Sequence, residues 1–207
     1  MKLAQTVSKL IKENLGISIF LLWFLFILLP RPLFDLPVSP ILLDSKEQLL
    51  GAKIATNGQW HFHETDSVSY KFKRALLHYE DRNFYNHIGV DPKGIARALL
   101  SNIKHKRRQG GSTISMQIAR MSHSKGQRTY LKKIKEIIFS IRLELSYSKK
   151  KILKIYASNA PFGGNIIGIE AASWRYFGKP HTGLSWSESA MLAVLPNAPG
   201  LIHPGRS

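Results

Sequence analysis

The sequence contains no cysteine among its 207 residues. This excludes a disulfide scaffold and any thiolate metal site, but it does not choose between an oxidising and a reducing compartment. Acidic residues are also few, because 13 Asp and Glu stand against 30 Lys and Arg, which gives a formal net charge of +17 at pH 7. Such an excess is far above what solubility requires and indicates an anionic partner, which nucleic acid, anionic lipid or a phosphorylated substrate would satisfy.

The N-terminal region lacks charge, because residues 14–30 contain no ionisable side chain. The centre of this run, ISIFLLWFLFILL, is almost entirely aliphatic or aromatic, and the run is close to the lower limit of about 17 residues for a membrane-spanning helix. Three lysines and one glutamate precede it, so the positive-inside rule places the N-terminus in the cytoplasm. A cleaved signal peptide is the alternative, although no small-x-small cleavage site follows the run.

We therefore predict a single-pass membrane protein whose folded domain lies outside the cytoplasm. The length suits one compact domain with a short appendage. The predicted parts are a cytoplasmic tail over residues 1–14, a transmembrane signal anchor over 15–30, a Pro-rich spacer over 31–40 and one domain over 41–207. This location argues against nucleic acid as the partner, so the basic excess is expected to serve lipid or a phosphorylated substrate.

The domain is predicted to be mainly helical, with a small β-hairpin at its start. Residues 41–63 hold two apolar-alternating runs separated by Asn57-Gly58, a dipeptide typical of hairpin turns. After residue 68, apolar residues recur at helical spacing. The longest helix is predicted from about Thr129 to Ser146, with an apolar stripe wide enough to pack on a core. That stripe consists of Leu131, Ile134, Ile138, Ile141 and Leu145.

Local signals predict where several helices begin and end. Asp91-Pro92 is typical of a helix start. Ser185 and Glu188 have the spacing of a capping box, which opens a helix through Leu195. Gly178 is expected to end the preceding helix.

The segment EDRNFYNHIG contains the first candidate for chemistry. Glu80 follows Leu76 by four residues, so it borders an apolar stripe, where desolvation raises the pKa of a carboxyl and suits it to be a general base. The spacing alone nevertheless favours an ordinary solvated triplet at a helix end. Asp81 is better explained as a structural carboxylate, paired with Arg82 or a lysine, and His87 as a structural hydrogen-bonding group.

The next segment, KHKRRQGGSTISMQIAR, is a candidate phosphate cradle. Gly110 and Gly111 permit close approach of the backbone to a ligand, while Ser112 and Thr113 open a helix whose free amides and dipole favour an anion. It is not a Walker loop, because no Gly-Lys-Ser/Thr follows at the required spacing. The basic run before the glycines is explained as well by a solvated loop. Gln117 and Arg120 lie farther along the helix and are candidates for polar contacts.

A third segment places Lys132 and Glu136 four residues apart on the predicted long helix, on the side away from its apolar stripe, with Lys133 and Lys135 beside them. An ordinary surface pair explains this pattern. A cluster of ammonium groups around one carboxylate also suits a pyrophosphate site. The spacing leaves these two interpretations even.

Taken in this order, the segments resemble the peptidoglycan glycosyltransferase family (family 51), the transglycosylase domain of class A penicillin-binding proteins. The family's motifs Glu-Asp-x-x-Phe-x-x-His-x-Gly, Gly-Gly-Ser-Thr-Ile-Thr-Gln-Gln and Arg-Lys-x-x-Glu match Glu80, Asp81, Phe84, His87 and Gly89, then Gly110 to Ile114 and Gln117, then Lys132, Lys133 and Glu136. Ser115 and Met116 depart from the second motif, and Lys132 replaces Arg in the third. APFGGN, GIEAASWRYFGK and LAVLPNAPG resemble the penicillin-binding protein 1C branch in particular.

Members of that branch carry a transpeptidase domain next. Ser-x-x-Lys occurs here four times, but without a Ser-x-Asn or Lys-Thr-Gly partner. We therefore expect a truncated or split member, or a stand-alone transferase domain.

The resemblance implies a lysozyme-like helical fold and polymerisation of lipid II into glycan with inversion. It implies that Glu80 is the base and that undecaprenyl pyrophosphate leaves, with Glu136 organising the cations or assisting that departure. The implied substrate-binding residues are Asp81, His87, Gly111, Ser112, Thr113, Gln117, Arg120, Lys132 and Lys133. The resemblance establishes no cofactor; a divalent cation such as Mg at the pyrophosphate is compatible with the chemistry, but no convincing ligand cluster is evident. The implied partners are lipid II, the growing glycan chain, inner-membrane lipids and other cell-wall synthases.

Two alternatives remain open. A carboxylate at a helix end of a lysozyme-like domain is also suited to hydrolysing glycan. A membrane-anchored remnant that binds lipid II or partner synthases without turnover is the non-enzymatic alternative.

Overall fold

A computed structural model describes residues 14–24, 26, 33–46, 48–105, 110–123 and 129–197. The chain divides into two units, Met1–Leu33 and Phe34–Ser207. In the first, residues 14–24 and 26 are helical with exposed side chains. Among the described residues, no helix combines the length and the apolar character needed to cross a bilayer. Part of the predicted membrane segment lies outside the described residues, so the tail, anchor and spacer stay predictions.

The second unit opens with the predicted hairpin, but its turn lies elsewhere. Strands β1 (Ile41–Leu43) and β2 (Leu49–Ala52) pair antiparallel. Asp44 Oδ1 accepts hydrogen bonds of 2.8 Å from the amides of Lys46 and Gln48, so this aspartate builds the turn. The prediction of the turn at Asn57-Gly58 is wrong, because that dipeptide instead forms a later turn, in which Gly58 has a φ of 76°.

That later turn leads into a second, two-stranded sheet. Strand β3 (Trp60–His61) pairs in parallel with β4 (Ile166–Ile167), which lies far along the chain. The sheet therefore ties the start of the domain to its C-terminal half.

The rest of the second unit is helical, which confirms the predicted mainly α class. The helices are α1 (Tyr70–Glu80), α2 (Pro92–His105), α3 (Ile114–His123), α4 (Tyr130–Ser146), α5 (Lys149–Asn159), α6 (Ile169–Phe177) and α7 (Trp186–Val194). Short 3-10 turns lie at Phe84–Asn86 and His181–Gly183.

Helix α3 lies in the core, because its residues from Ile114 to Ala119 are all buried. It packs against α4 and α5, while α1 packs against α7. The core also contains the fully buried rings of Phe72, Phe84 and Tyr156. The site residues on α1 and α3 therefore stand on packed elements.

The predicted helix ends are confirmed where their caps are visible. The Ser185 hydroxyl accepts from the amide of Glu188, and the Glu188 carboxylate accepts from the amide of Ser185, which completes the capping box. Helix α6 ends at Gly178, whose φ of 65° is left-handed. Helix α2 begins at Pro92, and Thr129 caps α4.

Helix α4 corrects the sequence prediction most strongly. The predicted core stripe is exposed throughout, from Leu131 at 72% to Ile141 at 38%. The buried residues of this helix are instead Glu136, Phe139, Ser140, Arg142 and Leu143. Periodicity identifies an apolar face, but it cannot say which face meets the core. Here the core accepts the Glu136 carboxylate, which is paired with Lys133.

Candidate active site

Glu80 is the last residue of α1, and its carboxylate accepts hydrogen bonds from two side-chain amides. Nε2 of Gln117, on α3, donates to Glu80 Oε2 over 2.7 Å. Nδ2 of Asn197, which follows α7, donates to Glu80 Oε1. Both carboxylate oxygens are therefore oriented, although Glu80 itself is only half-buried.

Burial raises the pKa of the Glu80 carboxyl above its usual value. The hydrogen bonds from Gln117 and Asn197 act in the opposite direction, as does the positive charge of Arg120. Desolvation is the largest of these effects, which agrees with the position at an apolar edge. The carboxylate is thus more basic than a solvated one, while it remains oriented for proton transfer.

Asp81 and His87 form a buried pair beside Glu80. His87 Nε2 lies 2.9 Å from Asp81 Oδ1 and 3.1 Å from Oδ2. Asp81 Oδ2 also accepts from the amide of Ile114, 3.0 Å away, at the first residue of α3. Arg82, the partner considered from sequence, bonds instead to the carbonyl of His78. The pair thus anchors the loop after α1 to the start of α3.

The start of α3, which the sequence suggested as an anion cradle, is therefore already bonded to a carboxylate of this chain, that of Asp81. Besides the Asp81 carboxylate, the Thr113 hydroxyl accepts from the amide of Met116 and donates to the carbonyl of Gly89 over 2.6 Å. Thr113 is buried. These contacts satisfy two of the amides at the start of α3, so the geometry gives Asp81 and Thr113 a scaffolding position.

A second cluster joins α4 to the loop before α3. Lys133 Nζ donates to Ser112 Oγ over 3.0 Å and to Glu136 Oε2 over 3.2 Å. Glu136 is only 4% exposed, so the carboxylate predicted to face away from the core is buried beside its lysine. Gly111 makes room for this loop, because a Cβ there would lie 3.1 Å from Cα of Ile95.

An open cleft of about 160 Å³ connects the two clusters. Its lining includes Glu80, Asp81 and Ser112, and Lys133 reaches it through the hydrogen bond to Ser112. Two arginines, Arg82 and Arg97, line the cleft as well. The cleft thus offers a carboxylate, polar hydroxyls and positive charge to one ligand.

The structure brings together most of the residues predicted from sequence. Gln117 lies against the Glu80 carboxylate, and Arg120 is close enough for its charge to lower the pKa of that carboxyl. Lys132 lies in the first turn of α4 with a half-exposed side chain. Sequence reasoning missed Asn197 and Tyr156, since neither belongs to the three motifs. Asn197 lies in the LPNAPG segment, which was the only signal available for it.

A divalent cation has no evident ligands here. The described residues contain no group of three or more His, Cys, Asp or Glu placed to hold a metal ion. The carboxylates that line the cleft have partners within the chain instead: Glu80 accepts from Gln117 and Asn197, Asp81 pairs with His87, and Asp91 accepts from Asn83. The residues present do not fit such an ion, and no step is assigned to one.

Comparison with known proteins gives a consistent family. The transglycosylase family model matches residues 47–207. Penicillin-binding protein 1C of Escherichia coli (strain K12) is 40% identical over 181 residues, which is 86% of this chain and 23% of that protein. Penicillin-binding protein 1A of Pseudomonas aeruginosa is 43% identical over 141 residues, or 66% of this chain and 17% of that protein.

A shorter relative is matched over most of its length. The biosynthetic peptidoglycan transglycosylase of Pasteurella multocida (strain Pm70) is 36% identical over 182 residues, covering 87% of this chain and 74% of that protein. By contrast, the chain spans about a quarter or less of the penicillin-binding proteins that it resembles. The similarity therefore concerns one domain of those longer proteins.

Proposed function

The chain belongs to the transglycosylase family, and we propose that it is a peptidoglycan glycosyltransferase that polymerises lipid II into glycan strands. The observation that carries this proposal is the pairing of two features on one cleft. One is the Glu80 carboxylate, whose pKa is raised by burial. The other is Ser112, which receives a hydrogen bond from Lys133 beside the buried Glu136.

In the proposed reaction, Glu80 takes the proton of the acceptor GlcNAc 4-hydroxyl. The oxygen then attacks the anomeric carbon of the MurNAc at the reducing end of the growing chain. The bond from that carbon to the pyrophosphate oxygen breaks, with inversion at the carbon, and undecaprenyl pyrophosphate leaves with the electron pair. The amide donors Gln117 and Asn197 hold the carboxylate in place for the first step.

The departing pyrophosphate needs fixed positive charge. Lys133 is the proposed donor, supported by Lys132 and Arg120, and Ser112 adds a hydroxyl at the cleft wall. Glu136 accepts from Lys133 and so holds the ammonium group in one position. Preorganised charge of this kind avoids reorganisation as the leaving group forms.

The same features weigh against the glycan hydrolase considered from sequence. A hydrolase releases a neutral sugar hydroxyl, so it has no anionic leaving group to stabilise. A non-catalytic remnant would not need a desolvated carboxylate held by two donors. The transferase accounts for both the base and the cationic cluster.

The test is direct. The purified full chain, incubated with lipid II in detergent, is expected to yield glycan polymer. Release of soluble muropeptides from preformed cell wall, with no polymer from lipid II, would favour the hydrolase. Binding of lipid II with neither product would support the remnant.

Substitution Lys133→Ala is expected to weaken lipid II retention and to slow transfer by about 100-fold, because it removes the charge that meets the leaving group. Steady-state kinetics on lipid II measure both effects. Lys151→Ala is the matched control, since Lys151 also forms an ion pair, with Glu64, but neither partner lines the cleft, whereas Lys133 bonds to Ser112 of the cleft wall. An unchanged rate in Lys133→Ala would remove this lysine from the pyrophosphate site.

The proposal also places the domain at the outer face of the cytoplasmic membrane, anchored by the N-terminal segment. The exposed apolar face of α4 supports this location, because such a face is rarely left in water. Lys135 lies on the same helix with an exposed side chain and suits anionic headgroups. Inner-membrane lipids and other cell-wall synthases remain proposed partners.

The absence of native cysteine allows this location to be probed. A fluorophore on Ile138→Cys of the full chain in liposomes is expected to be quenched by brominated lipid, because Ile138 lies on the exposed apolar face. Thr182→Cys is the control, since Thr182 is exposed in the turn His181–Gly183, outside that face. Equal quenching at both positions would contradict a membrane-facing α4.

A further inference from the structure

A fully buried tyrosine lies behind the carboxylate that the proposed function uses as its base. Tyr156, on α5, is 0% exposed. Its hydroxyl donates to Gln117 Oε1 over 3.2 Å, and Gln117 Nε2 in turn donates to Glu80 Oε2 over 2.7 Å. One chain of hydrogen bonds thus joins α5, α3 and α1.

The chemistry of the phenol determines which way this chain runs. Burial raises the pKa of Tyr156 well above its usual value, and the negative charge of Glu80 raises it further. The phenol therefore stays protonated and acts as a donor. A glutamine amide presents one acceptor oxygen and one donor nitrogen, so a donor on one side requires that the oxygen faces it.

The amide of Gln117 has a second orientation, which would point Oε1 at the Glu80 carboxylate. Two oxygens with negative charge or partial charge would then face each other in a desolvated site. Gln117 is itself only 4% exposed, so water offers it little compensation. The second orientation would also leave the buried Tyr156 hydroxyl without its acceptor, so the hydrogen bond from Tyr156 adds to the selection against this orientation.

We propose that Tyr156 is a positioning residue for the base: its hydroxyl sets the amide of Gln117 so that the nitrogen donates to Glu80. The assignment of Glu80 as the base rests on the proposed function, but the orientation of the amide does not. Tyr156 touches no reacting atom and acts only through Gln117.

The decisive measurement follows Glu80 directly in the full chain. Glutamate labelled with 13C at the side-chain carboxyl is titrated by NMR in detergent, and the Glu80 signal is identified by its loss in Glu80→Gln. Tyr156→Phe is expected to move the midpoint upward by about one pH unit, a tenfold change in proton affinity, since the Gln117 amide is then no longer held as a donor to the ionised form. Tyr176→Phe is the control, because that hydroxyl donates to the carbonyl of Phe162 instead.

Activity provides the second readout. Tyr156→Phe is expected to lower kcat about tenfold on the acid side of the pH profile, with KM nearly unchanged and the acid limb moved by the same amount as the NMR midpoint. In a Gln117→Leu background, Tyr156→Phe should cause no further shift, because its effect passes through that amide. A further shift in that background would overturn the inference, as would an unchanged midpoint in the single variant.

The two proposals fail in different ways. A shifted midpoint in a chain that makes no polymer keeps the positioning role and overturns the transferase. Polymer formation with an unshifted midpoint keeps the transferase and overturns the positioning role of Tyr156. A third measurement needs no substitution, so it applies even if Tyr156→Phe fails to fold. In the wild-type chain, a nuclear Overhauser contact that places the Gln117 amide protons against the Tyr156 ring would show that the amide has the opposite orientation. That result would overturn the inference.

Discussion

Substitution Glu80→Gln is expected to abolish polymer formation from lipid II while leaving lipid II binding nearly intact. The amide keeps the shape of the side chain but cannot take a proton from the acceptor hydroxyl. General-base catalysis contributes about 100- to 10,000-fold, so the rate should fall within that range. Single-turnover polymerisation and binding of labelled lipid II measure the two effects separately.

A control is needed because the new amide meets two other amides. In the native site both oxygens of Glu80 accept from Gln117 and Asn197, so Gln at this position sets one nitrogen against a donor. Thermal unfolding of the variant checks that the fold survives. Glu64→Gln neutralises a carboxylate paired with Lys151 and should retain full activity. Undiminished polymerisation by Glu80→Gln would exclude Glu80 as the base.

The raised pKa of Glu80 also predicts the pH dependence of the native enzyme. The base works only when ionised, so kcat/KM should fall as the pH drops through this pKa. Burial places it above the value of 4.5 for an unperturbed glutamate. The acid limb of the profile should therefore lie above that value, and it should be missing from the residual activity of Glu80→Gln.

Substitution Gly89→Ala is expected to be the most destabilising change in the loop that follows the base. Gly89 has a φ of 83°, and a Cβ there would lie 2.6 Å from the backbone C and O of Ser140 on α4. The conformational strain costs about 1–3 kcal/mol and the overpacking a similar amount. A loss of about 3–5 kcal/mol corresponds to roughly 10 °C in Tm for a chain of this size.

Gly58→Ala separates the two causes. Gly58 has a similar φ of 76°, but nothing lies within 4 Å of the position of its Cβ. Its cost should be limited to the left-handed backbone, about 1–2 kcal/mol. Thermal unfolding of both variants gives the difference due to the close approach to α4. Equal losses of stability in the two variants would show that the close contact between Gly89 and α4 does not explain the cost of Gly89→Ala.

Gly89→Ala should also affect activity, since the Gly89 carbonyl accepts from Thr113 at the start of α3. Displacement of this loop would disturb Asp81, which bonds to the amide of Ile114. The loop glycine thus holds together the frame in which the base stands.

Much of this protein follows from sequence alone. The helix cap at Ser185 was predictable because it depends on side chains within one turn. The three motifs predicted the family, which the comparisons confirm, because residue types in a fixed order are specific even without coordinates. The raised pKa of Glu80 was predictable because the helical spacing shows that this carboxyl lies at the edge of an apolar stripe.

Only the tertiary structure decided which surfaces meet. Periodicity could not show that the apolar stripe of α4 faces outward and that Glu136 faces inward, because both choices satisfy one helix. Nor could it show that Asp81 reaches the start of α3, or that Asn197 and Tyr156 act on Glu80 from opposite ends of a network. The sequence determined the residue types and the local elements. Contacts between distant segments decided their partners, since hydrogen bonds depend on positions that no local pattern contains.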